Sequence, residues 1–160
     1  MAAGLAGSLP ATLDDTTAIT IERGACPDQC PQYSLALYGS GRVEFEGRRH
    51  VCARGRHTAH VDPFAVRNLV ARLIDGGYFD VRWTYGPVIT GREKVTTSLR
   101  HAGRSRVMSH DRGDRGAPRY LERWEDAIDE AARTARWLPE RERHHPVCRR
   151  PDGSMEIVSG

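Results

Sequence analysis

The sequence predicts an α+β domain, with a single antiparallel sheet and two helices packed on one of its faces. Three observations lead there. Residues 33–46 alternate apolar and polar side chains on either side of Gly39-Ser40-Gly41, the pattern of a hairpin with one buried face. Residues 62–77 carry a helical apolar stripe between a start signal and a glycine stop. A second alternating pair of segments, 93–110, then leads to a second helical stripe opening at Pro118.

Size and composition agree with this. The chain has 160 residues, 39% apolar and 28% charged, within the range of one globular domain that buries roughly 70% of its unfolded surface. No apolar run approaches the roughly 20 residues that span a bilayer, so no membrane partner is expected. Met1 to Asp15 lacks a basic n-region, and its weak apolar run is broken by Gly4, Gly7 and Pro10. It reads as a mobile arm rather than a secretory signal, which gives a cytoplasmic address. The net charge of +3 comes from 24 basic and 21 acidic residues, the basic ones all arginine except Lys94. Because acidic residues are interleaved with the arginines, the charges suit solvated faces, and no nucleic-acid partner is expected.

The elements follow in order. Thr17 to Arg23 places Ile19 and Ile21 on one face of a short strand. After a Cys/Pro loop, Tyr33 to Tyr38 turns Tyr33, Leu35 and Leu37 to one side, and Arg42 to Glu46 turns Val43 and Phe45 the same way. Further segments at His50–Ala53 and Thr58–Val61 bring the count to as many as five antiparallel strands before the first helix. That helix has Asp62 as N-cap and Pro63 at its first position, where a missing N–H costs nothing. Val66, Leu69, Val70, Leu73 and Ile74 form its apolar face, and Gly76-Gly77 stops it. Strands at Glu93–His101 and Arg104–His110 follow. The second helix carries Leu121, Trp124, Ile128, Ala131, Ala135 and Leu138 in one stripe of about five turns. The expected organisation is an arm at 1–15, a domain at 16–138 and a polar, poorly ordered tail at 139–160.

The candidate site is the loop from Arg23 to Ser34, where Cys26 and Cys30 are each followed by proline. Pro27 and Pro31 restrict the backbone beside both thiols, so the two side chains are expected to converge at the start of the Tyr33 strand. Three uses stay open: structural cysteines, reduced or bridged; a metal or cofactor site; and thiol chemistry. A bridge would close a short loop and contribute roughly 2 kcal/mol, against the reducing thiol pool of a cytoplasm. As metal ligands the pair has a spacing that suits a transition metal such as zinc, and needs two more donors. His57 and His60 are the best local ones, giving the set Cys26, Cys30, His57 and His60. Cys52 and Cys148 supply no second paired motif, and replacing Cys148 is expected to disturb the protein less than replacing Cys26 and Cys30. Tyr33 is either a ligand donor at the loop or a core residue on its apolar strand face. His110-Asp111 reads as an acid/base pair or as a loop feature. The sequence contains no P-loop, no nucleophile elbow and no dinucleotide fingerprint.

The run Arg23-Gly24-Ala25-Cys26 through Cys30-Pro31-Gln32-Tyr33-Ser34, followed by an apolar strand and Gly39-Ser40-Gly41, resembles the opening of a bacterial family of domains of unknown function marked by R-G-x-C-x-x-x-C-P-x-Y-S. Thr84-Tyr85 to Thr97, Ala117-Pro118 and the closing Trp137-Leu138 resemble its later blocks, so the similarity covers about residues 19–138. The resemblance implies the domain boundary and, from exported relatives, a bridged use of the cysteine pair. It carries no activity. The reading is a small non-catalytic binding or accessory domain, with Cys26, Cys30, Tyr33 and the open sheet face contacting a small molecule or a protein partner. The alternative is a thiol- or metal-dependent enzyme using the same loop.

Overall fold

The structure, a computed structural model, describes residues 9–27, 29–85, 92–142 and 145–158. Its elements are β1 (Ala18–Arg23), β2 (Gln32–Tyr38), β3 (Arg42–Arg49), β4 (Gly55–His60), α1 (Pro63–Asp75), β5 (Thr84–Tyr85), β6 (Lys94–His101), β7 (Arg104–Asp111), α2 (Tyr120–Ala132), β8 (Glu140–Glu142), β9 (His145–Arg149) and β10 (Met155–Ile157). Seven strands form one sheet in the order β4-β3-β2-β1-β6-β7-β5, and β10-β9-β8 form a second.

Alternation sets the register. Leu35 pairs with Phe45 and Leu37 with Val43 across the β2–β3 hairpin, whose turn needs the positive φ of Gly41. Ile21 of β1 lies between Leu35 of β2 and Thr97 of β6, so the short first strand becomes the centre of the sheet. The inward residues of β1, β2, β3 and β6 pack with Val66, Leu69 and Leu73 of α1 and with Trp124 and Ile128 of α2 in one apolar core. On α1, Asp62 accepts from the Phe64 N–H at 2.9 Å, as its N-cap position requires.

Several expectations are corrected. The large sheet is mixed rather than purely antiparallel, because β5 runs parallel to β7. This two-residue edge segment is too short to show a period in sequence, and its approach is fixed by the Ser109 N–H donating to the Trp83 carbonyl at 2.9 Å. β3 continues to Arg49, and His50, at φ 55°, turns the chain instead of starting a strand; among the described residues four strands therefore precede α1. The second helix is not continuous to Leu138. It ends at Arg133, whose left-handed φ of 55° leads into a short 3-10 turn, Thr134–Trp137. The Thr134 hydroxyl donates to the Asp129 carbonyl at 3.2 Å across that break. The turn lays Trp137 against Phe45 in a stack with 4.6 Å between centroids.

Both ends of the chain are also tied down where they are described. The expected arm lies partly outside the described residues, at 1–8, but Leu9 and Leu13 pack against the core. Residues 13 and 14 run so close to Gly39 that a Cβ there would sit 2.3 Å from the Asp14 carbonyl oxygen. The polar tail forms the second sheet, with Val147 buried. A disulfide between Cys52 and Cys148 joins it to the loop after β3, and the Cys52 N–H donates to the Trp137 carbonyl at 2.8 Å. β8 is wholly charged, β9 contains a proline and β10 is only three residues long, so none of these strands shows enough alternation for a periodicity reading.

Candidate functional site: the cysteine loop, a buried polar network and the open sheet face

Arg23 ends β1 and faces Tyr33 directly across the ladder to β2, and on the far side of β2 its pairing with β3 shifts register between Gln32 and Tyr33. The loop joining them is closed by a Cys26–Cys30 disulfide, with 5.5 Å between Cα atoms. The Cys30 N–H donates to Cys26 Sγ at 3.2 Å, and Gln29 holds a left-handed φ of 57°. Gly24 fixes the entry to the loop: its N–H donates to the Lys94 carbonyl at 2.9 Å.

Because residues two apart in a strand share a face, Arg23 follows Ile19 and Ile21 inward. It is 8% exposed and carries a charge, so it must be paired. Its Nε donates to the Tyr33 hydroxyl at 3.0 Å, its Nη2 to Asp129 at 2.7 Å and its Nη1 to Glu93 at 3.1 Å. The Tyr33 hydroxyl in turn donates to the other Asp129 oxygen at 2.7 Å. Burial, reinforced by the Asp129 charge, pushes the Tyr33 phenol well above its ordinary range. Burial works against the Arg23 charge, but Asp129, Tyr33 and Glu93 outweigh it and hold the guanidinium more firmly protonated.

The same inward row runs on through Val95 to His110. His110 Nε2 forms a fully buried pair with Glu125 of α2, and Arg112 reaches Glu125 at 3.1 Å and Asp126 at 2.8 Å. Asp129 and Glu125 lie one turn apart on the sheet-facing side of α2, so their carboxylates fasten that helix over the end of β1, β2 and β7. Every principal charge in the row has a partner. The arrangement holds a helix against the sheet, and it leaves His110 Nδ1 buried without a hydrogen-bond partner among the described residues.

The residues singled out in the sequence fall in different places. Cys26 and Cys30 do converge, as a disulfide rather than as metal ligands. Tyr33 is 1% exposed and turned into the core, with its hydroxyl engaged. His57 faces inward near Phe45 and Trp137 and contacts the Arg54 carbonyl through Nε2 at 2.9 Å. His60 lies opposite Arg42, at the end of β4 away from the cysteine loop. Two residues three apart on a strand point to opposite faces, so His57 and His60 cannot join one ion with the cysteines. Among the described residues, no group of three or more His, Cys, Asp or Glu could hold a metal ion. His110 contacts Glu125 of α2 through Nε2.

The buried roles of Arg23, Glu125 and Asp129 were missed by the sequence reading, yet the first two left a signal. Arg23 has the inward parity of β1, and Glu125 sits between Trp124 and Ile128 on the apolar side of a helix. The Cys52–Cys148 bridge left none, since its ends are 96 residues apart.

Among the described residues, no helix covers the other face of the large sheet. Its centre is a hollow of about 620 Å³, floored by Thr20, Ser34, Ala36 and Thr96 and walled by Glu46 and Arg56. Thr20 bonds the Ser98 hydroxyl, and Thr96 bonds Ser109 at 2.9 Å. No helix among the described residues is long and apolar enough to cross a membrane.

No curated protein matches the chain. A family model described as a domain of unknown function, DUF6438, matches residues 17–132, which take in the cysteine loop, Arg23, Tyr33 and Asp129 and stop at the end of α2. With most of its length matched, the chain belongs to the DUF6438 family.

Proposed function

We propose that this is a non-catalytic binding domain of an oxidising compartment, taking a small polar ligand in the hollow on the open sheet face beside the Cys26–Cys30 loop. The hollow carries the proposal. Its volume of about 620 Å³ falls in the range of small-molecule sites, and its lining combines hydroxyls with both signs of charge. An apolar partner would strip water from those hydroxyls and charges without replacing its hydrogen bonds, whereas a ligand rich in hydrogen-bonding groups replaces them. Tyr33 supports the floor from behind and makes no ligand contact. The two disulfides support that compartment, because such bonds persist where thiols are not kept reduced. They weigh against the cytoplasmic address read from the N-terminal residues.

The test is amide shift mapping on the oxidised protein with mixtures of sugars, amino acids and polyamines. Shifts centred on Thr20, Ser34 and Ala36, lost in Ala36→Trp, are the expected result. Binding that maps elsewhere, or that survives Ala36→Trp unchanged, would overturn the assignment.

A further inference from the structure

We propose that the Cys26–Cys30 bridge is an exchangeable disulfide, opened by an external low-molecular-weight thiol, with Cys30 as the sulfur attacked and Cys26 as the leaving thiolate. This goes beyond the binding role and stands or falls separately from it.

Three features of the loop assign these roles. First, the Cys30 N–H points at Cys26 Sγ from 3.2 Å. Such a donor stabilises a sulfur more as it gains negative charge, so it favours Cys26 as the atom that receives the electron pair. Second, Gln29 is held at φ 57°, a conformation uncommon for a residue with a side chain, and opening the ring frees it. Third, the loop can open without unfolding the sheet. β1 and β2 are already joined by a six-residue ladder, and Arg23 and Tyr33 are anchored on Asp129 just beyond the loop. Cys26 and Cys30 are both half-buried, hence reachable, and neither belongs to the apolar core. Pro27 and Pro31 keep the reduced loop near its closed shape, so the bridge can form again.

The step balances as follows. A thiolate RS⁻ forms an S–S bond to Cys30, the Cys26–Cys30 bond breaks, and its electron pair leaves on Cys26. A second RS⁻ attacks the mixed disulfide and releases RS–SR and the Cys30 thiolate. The protein is reduced by two electrons, two small thiols are oxidised to one disulfide, and protons from solvent set the final charge on the two cysteines.

The experiment uses the full oxidised chain, equilibrated in glutathione buffers of graded ratio, acid-quenched, alkylated and peptide-mapped. Cys26 and Cys30 are expected to become alkylated at a [GSH]²/[GSSG] at least about tenfold lower than Cys52 and Cys148, with the far-ultraviolet spectrum unchanged. In the single variants, the Cys26 thiol of Cys30→Ser should react with iodoacetamide about tenfold faster than the Cys30 thiol of Cys26→Ser. Opening of both bridges together, opening only with loss of secondary structure, or a faster Cys30 would each overturn the proposal. Because the redox titration is read on the unmodified chain, a poorly folding variant does not block it.

Discussion

Arg23 and Asp129 meet at 2.7 Å, the last residue of the central strand holding the last turns of the last long helix. Tyr33 adds a second bond to the same carboxylate from the neighbouring strand. The arginine and the tyrosine that bracket the cysteine loop thus do one job, which is to fasten α2 over the sheet.

Replacing Asp129 by alanine leaves Arg23 short of its nearest counter-charge in a buried site, and should cost about 3–5 kcal/mol in urea unfolding. Asp126 approaches the same guanidinium only at 3.8 Å, and its side chain is 62% exposed. Asp126→Ala should therefore fall within about 0.5 kcal/mol of the parent. Similar losses for both variants would mean that Asp129 does not anchor the helix.

The two disulfides should differ in what they give the fold. On the chain-entropy model a loop of about 100 residues contributes about 4.7 kcal/mol, against roughly 2 kcal/mol for the short ring. Substituting Cys52 and Cys148 together by serine should lower the thermal midpoint more than substituting Cys26 and Cys30. This reverses the ranking expected from sequence, because Cys148 belongs to a bridge spanning 96 residues. Calorimetry of the two double variants decides it.

At high pH the buried phenols become a liability. Burial raises the folded-state values of both Tyr33 and Tyr78 above the ordinary 10.0. The unfolded chain therefore releases those protons first, and the stability they provide is full below about pH 10 and lost as pH rises beyond it. In a titration followed by phenolate absorbance, these two should ionise only together with loss of tertiary structure. Smooth ionisation of all tyrosines in a protein that stays folded would contradict this.

His101 should act at the other end of the scale. Burial lowers its folded value below the ordinary 6.5, and Thr17 holds its Nδ1 at 2.8 Å. The stability tied to its neutral form is present above pH 6.5 and is lost as pH falls through the lowered value. His101→Gln should flatten the dependence of the thermal midpoint on pH just below 6.5. An unchanged slope would remove His101 from the account.

The legible parts of this fold are those whose signal is local. Alternation about Gly39-Ser40-Gly41 placed Leu35, Leu37, Val43 and Phe45 in one core, and Asp62-Pro63 marked the start of α1. What escaped depends on contacts distant in sequence. The β1–β6 pairing joins Ile21 to Thr97, and nothing near either residue specifies it. The break at Arg133 was masked by a helical stripe that continued past it, until the packing of Trp137 on Phe45 overrode the period. At the candidate site the convergence of Cys26 and Cys30 was readable from spacing and proline. The added donors His57 and His60 were misjudged because their spacing was weighed before strand parity, which turns residues three apart to opposite faces.

The Cys52–Cys148 bridge also decides how the molecule carries load. Its ends lie 96 residues apart, and α1, β5, β6, β7 and α2 all fall inside that span. Under tension applied at the two termini, force passes through the sulfur–sulfur bond and bypasses everything between. The protein can lengthen only by peeling the strands before Cys52 and the short segment after Cys148. Once the bond is reduced, a further contour of about 330 Å comes into play. A single covalent bond thus acts as a mechanical stop, and a pulling experiment with and without reductant would show it as a change in extension length.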